Sequence, residues 1–151
     1  MMRRNLWLVL TFSLAACNNS NTLLHSYKPL PAEGWDRRDT ICFDLPENDA
    51  DIDGTLFIGL RTKANIGMRD IVLAIEQCLE TPIAYHCDTI RYPLTDAEGY
   101  ALTKGVNHFQ YETQQLPIHL QKGQSGSVRI HHLMTHETIP DITEVGIRFE
   151  K

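Results

Sequence analysis

The sequence predicts an all-β protein: a single antiparallel β-sandwich of about seven or eight strands, with a small closed barrel as the alternative. Apolar and polar residues alternate in runs of five to nine residues, which is the period of a half-buried strand. Turn-forming segments separate these runs at regular spacing. No window of eleven or more residues shows a clear helical stripe of apolar side chains, so helices are not expected to form the core.

The alternating runs can be followed along the chain by their inward-facing positions. These are Ile41, Phe43, Leu45, Leu56, Ile58, Leu60, Ile71, Leu73, Ile75, Leu116, Ile118, Leu120, Val128, Ile130, Val145, Ile147 and Phe149. The segment MRDIVLAIEQCLE could also be helical, but its β-branched residues favour a strand. The runs are separated by ENDADIDG, KANIG, LETP, DAEG, KGQSG and IPDI. We expect the inward residues to share one core between two sheets.

The first sixteen residues have the pattern of a secretion signal. Arg3 and Arg4 precede an uncharged stretch that ends in small residues, and Leu14-Ala15-Ala16-Cys17 has the form of a lipobox. The uncharged stretch is shorter than the roughly 20 residues of a membrane-spanning helix. We therefore predict a signal peptide over residues 1–16 and lipidation of Cys17. The alternative is an ordinary signal peptide or a buried helix with an incidental cysteine.

The remaining 135 residues are enough for one domain. The stretch NNSNTLLHSYK predicts a lipid-anchored tether over residues 17–28, followed by the sandwich domain over residues 29–151. Loss of the two signal arginines changes the formal net charge from −5 to −7. The other basic residues are scattered, with Arg37-Arg38 as the one adjacent pair, so nucleic acid is not an expected partner. The expected partners include the membrane lipid attached through Cys17.

Several patterns suggest chemistry but favour a structural interpretation. His131 and His132 are adjacent on a predicted strand, so their side chains should point to opposite faces and not share a metal ion. The aspartates at 49, 51 and 53 lack the downstream glutamate of a calcium loop. GQSGS does not have the spacing of a nucleophile elbow. We predict no catalytic residue, no metal site and no cofactor.

The cysteines and aromatic residues leave two questions open. Without Cys17 the cysteines are Cys42, Cys78 and Cys87, so a monomer can form at most one disulfide. A Cys78–Cys87 bond across a hairpin is the nearest pairing in sequence, and free thiols are the default. Trp35 follows Gly34 and precedes the first predicted strand, a position that more often closes a core than forms a sugar platform.

Several segments resemble the GldH-type gliding motility lipoproteins of the Bacteroidota. The matching pieces are LAAC, YKPLPAEGW at 27–35, DTICF at 39–43, DTI at 88–90, LTDAEGY at 94–100 and IPDITEVGIR at 139–148. The resemblance implies a small lipid-anchored envelope protein associated with gliding machinery and the linked secretion apparatus, without enzyme activity. Lipoproteins of such bacteria often carry acidic residues after the cysteine for surface display. Asn18, Asn19, Ser20 and Asn21 stand there instead, which favours an outer-membrane protein facing the periplasm.

Two function classes follow. The preferred one is an accessory or interaction component that contacts other envelope proteins of a motility or secretion complex. The alternative is an envelope-anchored module that binds a ligand such as a glycan. Because aromatic and arginine residues often anchor contacts, we predict that Trp35, Arg37 and Arg38 form part of the partner-facing surface. The competing interpretation is that Trp35 seals the end of the core and the arginines are solvated.

Overall fold

The computed structural model of the protein describes residues 21–64, 66–105, 108–113 and 115–151. The predicted signal peptide and the proposed lipidation site Cys17 lie outside these residues. None of the described segments forms a helix long and apolar enough to span a membrane.

The described residues form eleven strands, all paired antiparallel. In chain order they are β1 (Thr22–Pro29), β2 (Trp35–Asp36), β3 (Ile41–Leu45), β4 (Ile52–Lys63), β5 (Asp70–Glu80), β6 (Ala84–Pro93), β7 (His108–Glu112), β8 (Leu116–Leu120), β9 (Ser125–His132), β10 (Thr138–Ile139) and β11 (Ile142–Glu150).

Two main sheets make up the sandwich. The five-stranded sheet has the order β1–β11–β4, and β7 and β8 pair one after the other along the remaining edge of β4. The four-stranded sheet has the order β3–β9–β5–β6. Strands β2 and β10 form a small separate pair. The predicted all-β sandwich is confirmed, and the sheets of the described chain do not close into a barrel.

The core lies between the inner faces of the two main sheets. Alternate residues of β4 and β11, including Ile58 and Ile147, are buried against β5 and β9 residues such as Ile75 and Ile130. Of the residues predicted to share the core, all are buried except Ile41, which is half-buried and packs against the cluster. Period two predicts these positions because successive strand residues point to opposite faces.

Two features of the fold differ from the sequence prediction. More strands form than the seven or eight expected, and the added ones include β1 and β7. Strand β1 begins at Thr22, so residues 22–28, which the sequence assigned to the tether, belong to the five-stranded sheet, and the sandwich begins before the predicted boundary at residue 29. Strands β1 and β6 lie at sheet edges and have weak apolar alternation. Their hydrogen bonds to β11 and β5 hold them in place, and this pairing leaves little trace in local sequence.

Candidate functional site

Trp35 belongs to the core and not to a contact surface. Its side chain is 0% exposed, and its indole N–H donates a hydrogen bond to the Asp39 carbonyl oxygen at 3.0 Å. Gly34 directs the tryptophan inward: its φ is +116°, and a Cβ there would collide with the backbone of Ile139. The prediction that Trp35 faces a partner is therefore wrong, and the competing interpretation, that it seals the end of the core, is correct.

His132 completes this buried corner. Its ring packs edge to face against Trp35 with the centroids 5.3 Å apart, and Nε2 lies 3.1 Å from the Trp35 carbonyl oxygen. Burial lowers the pKa of His132, which favours the neutral ring. His131 lies on the opposite face of β9, as strand alternation predicts. Within the described segments, no three His, Cys, Asp or Glu side chains are grouped to hold a metal ion.

Arg37 and Arg38 remain on the surface beside this corner. The Arg38 guanidinium makes two hydrogen bonds to the Asp36 carboxylate, at 3.0 and 2.9 Å. These bonds hold the pKa of Asp36 well below its usual range and raise the pKa of Arg38. The two arginines line a shallow cavity of about 120 Å³ with Asp36 and Glu137. The structure thus keeps the predicted arginines together and turns the tryptophan away from them.

A second surface, which the sequence did not reveal, covers the outer face of the five-stranded sheet. We call it the arginine–aromatic face. It contains two aromatic side chains, two arginines and three carboxylates from four strands: Tyr27, Phe57, Arg61, Glu112, Glu144, Arg148 and Glu150.

Tyr27 lies flat across two glycines of this face. Tyr27 of β1 stands beside Gly146 of β11, which stands beside Gly59 of β4. A Cβ at Gly146 would lie 2.5 Å from the Tyr27 ring, and a Cβ at Gly59 would collide with its hydroxyl. Both glycines are therefore required for the ring to approach the backbone. Burial raises the pKa of Tyr27.

Each aromatic ring is covered by a guanidinium group. The Arg61 guanidinium lies 4.0 Å from the Tyr27 ring centroid and pairs with Glu144 at 2.5 Å. The Arg148 guanidinium lies 3.9 Å from the Phe57 centroid, makes two hydrogen bonds to Glu112 at 2.9 and 2.7 Å and pairs with Glu150. These carboxylates raise the pKa of Arg148. Stacking and ion pairing together hold the planar groups in fixed orientations.

The aromatic and arginine side chains of this face are held in place by their own contacts. Tyrosine and arginine are enriched among the residues that dominate contact energies, and prior ordering lowers the entropy cost of binding. The local sequence signal for this face was the pair of glycines inside strong strand patterns, at positions where a polar outward residue is expected. Glycine within a strand marks a close approach.

The three cysteines of the described chain are free and lie on the outer face of the four-stranded sheet. We call this surface the thiol face, defined by Cys42, Cys78 and Cys87. Cys78 stands opposite Tyr85, whereas Cys87 stands opposite Glu76. The two thiols are therefore offset by two residues across β5 and β6, and no disulfide joins them.

The family model described as "GldH lipoprotein" matches residues 22–149, a stretch that reaches from β1 into β11 and includes both main sheets. No curated protein and no solved structure matches the chain.

Proposed function

The chain belongs to the GldH lipoprotein family, and from this we propose that it is a non-catalytic accessory and interaction component of a gliding machine or the secretion apparatus linked to it. As a member of a lipoprotein family, it is an envelope protein associated with gliding motility and anchored to a membrane. The finer parts of the proposal concern its mode of anchoring, its contact surface and its partners.

We place the anchor at Cys17, in the outer membrane, with the domain facing the periplasm. Support comes from the LAAC segment behind Arg3 and Arg4 and from the polar residues that follow Cys17. Strand β1 begins at Thr22, five residues after Cys17, so the chain between them reaches about 18 Å at most. The sandwich would therefore stay close to the membrane surface, within reach of other membrane-bound proteins.

The arginine–aromatic face is the observation that supports contact with a protein partner. Its rings are covered by guanidinium groups 4.0 and 3.9 Å away, and each guanidinium is paired with a carboxylate. Glycan binding uses exposed aromatic rings as stacking platforms, and Tyr27 and Phe57 do not offer one. A flat surface of ordered arginine and carboxylate groups suits a protein with complementary charges and hydrogen-bonding groups.

The anchor is tested with Cys17→Ser. We expect this change to abolish incorporation of a labelled fatty acid and to release the protein from the membrane fraction. Wild-type protein labelled in parallel is the control. Acyl labelling that persists in the variant would exclude Cys17 as the lipidation site.

The contact surface is tested by crosslinking in whole cells, followed by identification of co-purified envelope proteins. Arg61→Ala should reduce recovery of partners while the protein stays folded and membrane-bound, as limited proteolysis and fractionation would show. Arg61→Lys is the matched variant, since it keeps the charge but not the planar stack on Tyr27. Full partner recovery with folded Arg61→Ala and Arg148→Ala would contradict a role for this face.

The surface arginines beside Trp35 provide the competing site. The double variant Arg37→Ala/Arg38→Ala leaves the core intact because both side chains are exposed. Loss of envelope partners in this variant, with recovery unchanged in Arg61→Ala, would move the contact surface to this corner. Retention of every partner would remove Arg37 and Arg38 from the proposed surface.

A further inference from the structure

Strand β6 (Ala84–Pro93) is the longest edge strand of the described chain, with ten residues. It pairs with β5 along its whole length. On its other side, its backbone groups make no hydrogen bond to another residue of the described segments. The first four side chains, Ala84 to Cys87, are all exposed. An edge of this length offers a row of donors and acceptors to another strand.

The other sheet edges carry features that hinder strand pairing. Strand β1 has a register irregularity between Thr22 and Leu24 and ends in Lys28-Pro29. Strands β7 and β8 have five residues each, and β8 contains Pro117. Strand β3 also has five residues and is followed by Pro46. Lysine, proline, irregular register and short length each discourage edge-to-edge association. Strand β6 has no lysine, and its one proline is its last residue.

We propose that β6 pairs with β6 of a second copy of this chain, antiparallel, so that two four-stranded sheets become one sheet of eight strands. The contact is isologous, with a two-fold axis perpendicular to the sheet. This inference concerns self-association and does not rest on the proposed function.

The charges of β6 select the register. Facing residues must point to the same side of the sheet, so the two-fold axis passes through a residue position. Within one copy, His86 Nε2 lies 3.1 Å from the Asp88 carboxylate on the same strand. An axis at Cys87 also places His86 of each copy opposite Asp88 of the other, so that imidazoles and carboxylates alternate across the axis. An axis at Asp88 places two carboxylates opposite each other, which is unfavourable. Among the same-face registers of Ala84–Pro93, the axis at Cys87 is the one that sets an imidazole directly across from a carboxylate.

The same register brings the two Cys87 thiols together on the thiol face. Cys87 is exposed and free, and the His86 side chain is 62% exposed, so neither is covered in the single copy. Cys42 lies on the same face of the same sheet but on β3, at the opposite edge. Although it is less exposed than Cys87, it is therefore a control for chance encounters between thiols.

The test is oxidative crosslinking of the full-length chain in isolated envelopes with copper–phenanthroline. The oxidant takes two electrons from two thiols, which release two protons and join as a disulfide. In Cys42→Ser/Cys78→Ser, which retains Cys87, we expect a dimer on a non-reducing gel that disappears on reduction. In Cys78→Ser/Cys87→Ser, which retains Cys42, we expect no dimer. No crosslinking through Cys87, or equal crosslinking through both thiols, would overturn the proposal.

The register is tested by moving the thiol. Tyr85→Cys in a chain without Cys42, Cys78 and Cys87 places the two new thiols four residues apart along the strands, about 13 Å, and should not crosslink. Adding Thr89→Cys to that chain puts residue 85 of one copy opposite residue 89 of the other and should restore the dimer. Efficient crosslinking through residue 85 alone would contradict the axis at Cys87.

Charge reversal gives an independent test with its own control for folding. Asp88→Lys in the chain that retains Cys87 should lower dimer yield about tenfold, because two symmetry-related pairs are lost. His86→Asp/Asp88→Lys restores opposite charges across the axis and should recover the yield. Limited proteolysis would show whether both variants are folded. If they are, and the double variant does not recover the dimer yield, this pairing of charges is excluded.

Discussion

The outer faces of the two main sheets are organised in different ways. On the five-stranded sheet, Tyr27 and Phe57 are covered by Arg61 and Arg148, and each arginine is bound to a carboxylate. On the four-stranded sheet, three free thiols occupy the outer face. Its ion pair between Arg91 and Asp70 lies at one end of the β5–β6 pairing.

The two main sheets bury the same alternating pattern of apolar residues on their inner faces, but the side chains on their outer faces are arranged differently. The arginine–aromatic face joins β1, β4, β7 and β11 by side-chain contacts across the sheet. The thiol face relies on its backbone pairing and leaves the edge of β6 open. We therefore expect substitutions on the first face to affect stability and partner binding together, and those on the second to affect association with little change in stability.

The largest expected effect is on the free energy of unfolding, and it shows whether the inner faces of the two main sheets contribute equally to stability. Ile147→Ala on the five-stranded sheet and Ile130→Ala on the four-stranded sheet should each lower the free energy of unfolding by about 2–5 kcal/mol. Both side chains are buried in the same core. Urea unfolding followed by the fluorescence of buried Trp35 measures the loss. Thr40→Ala, at an exposed position, is the control and should change stability by about 0.5 kcal/mol or less. A small loss for one isoleucine would show that the sheets contribute unequally.

The next prediction concerns the glycines that lie beneath the Tyr27 ring. Gly146→Ala should lower the free energy of unfolding by about 1–3 kcal/mol, because the new methyl group forces the ring away from Arg61. Gly67→Ala is the matched control, since its Cβ would lie 3.8 Å from Asp141. Adding Tyr27→Ala to Gly146→Ala should remove the clash, so the two substitutions should not be additive. Additive losses would mean that the ring does not rest on Gly146.

A smaller effect compares one cross-strand pair on each face. A double-mutant cycle of Arg148→Ala and Phe57→Ala should give a coupling energy of about 1 kcal/mol, from the stack at 3.9 Å. Glu76 and Arg129 stand directly opposite each other on the thiol face. Their cycle should give about 0.5 kcal/mol or less, as is usual for exposed charges. Equal couplings in urea unfolding would remove the distinction between the faces.

The smallest effect concerns the thiols themselves. Cys78→Ser should change the free energy of unfolding by about 0.5 kcal/mol or less, because the side chain points away from the core. A larger loss would show that the thiol face contributes packing energy. In that case the dimer yields of the cysteine variants would have to be compared at equal fractions of folded protein.

Local sequence was sufficient for the fold class and for most of the core. Positions such as Phe43 and Ile58 follow from period two, which depends on immediate neighbours alone. Strand β6 was expected only as the second strand of the hairpin that joins Cys78 to Cys87, and its length was not predicted, because its side chains are exposed from Ala84 to Cys87 and no apolar alternation marks it. An edge strand can form on hydrogen bonds to its neighbour without that pattern.

The arginine–aromatic face and the direction of Trp35 required information that one sequence does not contain. Tyr27 meets Gly146 and Arg61 because β1 and β4 both pair with β11, and this strand order is a property of the whole fold. Trp35 was placed on a surface because its neighbours Arg37 and Arg38 are charged. Its true direction depends on the positive φ of Gly34 and on the backbone of Ile139, which lies far away in the sequence.

Strand β1 also determines how the domain would bear a mechanical load. It joins β11 through seven cross-strand pairs, from Thr22–Glu150 to Pro29–Glu144, and the Lys151 N–H donates to the Asn21 carbonyl oxygen at 2.8 Å. A pull on the lipid proposed at Cys17 would enter the domain at the Thr22 end. The part of the force directed along β1 would load the hydrogen bonds of the β1–β11 pair in shear, all of them together. The first strand of the sandwich would thus act as a clamp that keeps the domain folded while its anchor is under tension.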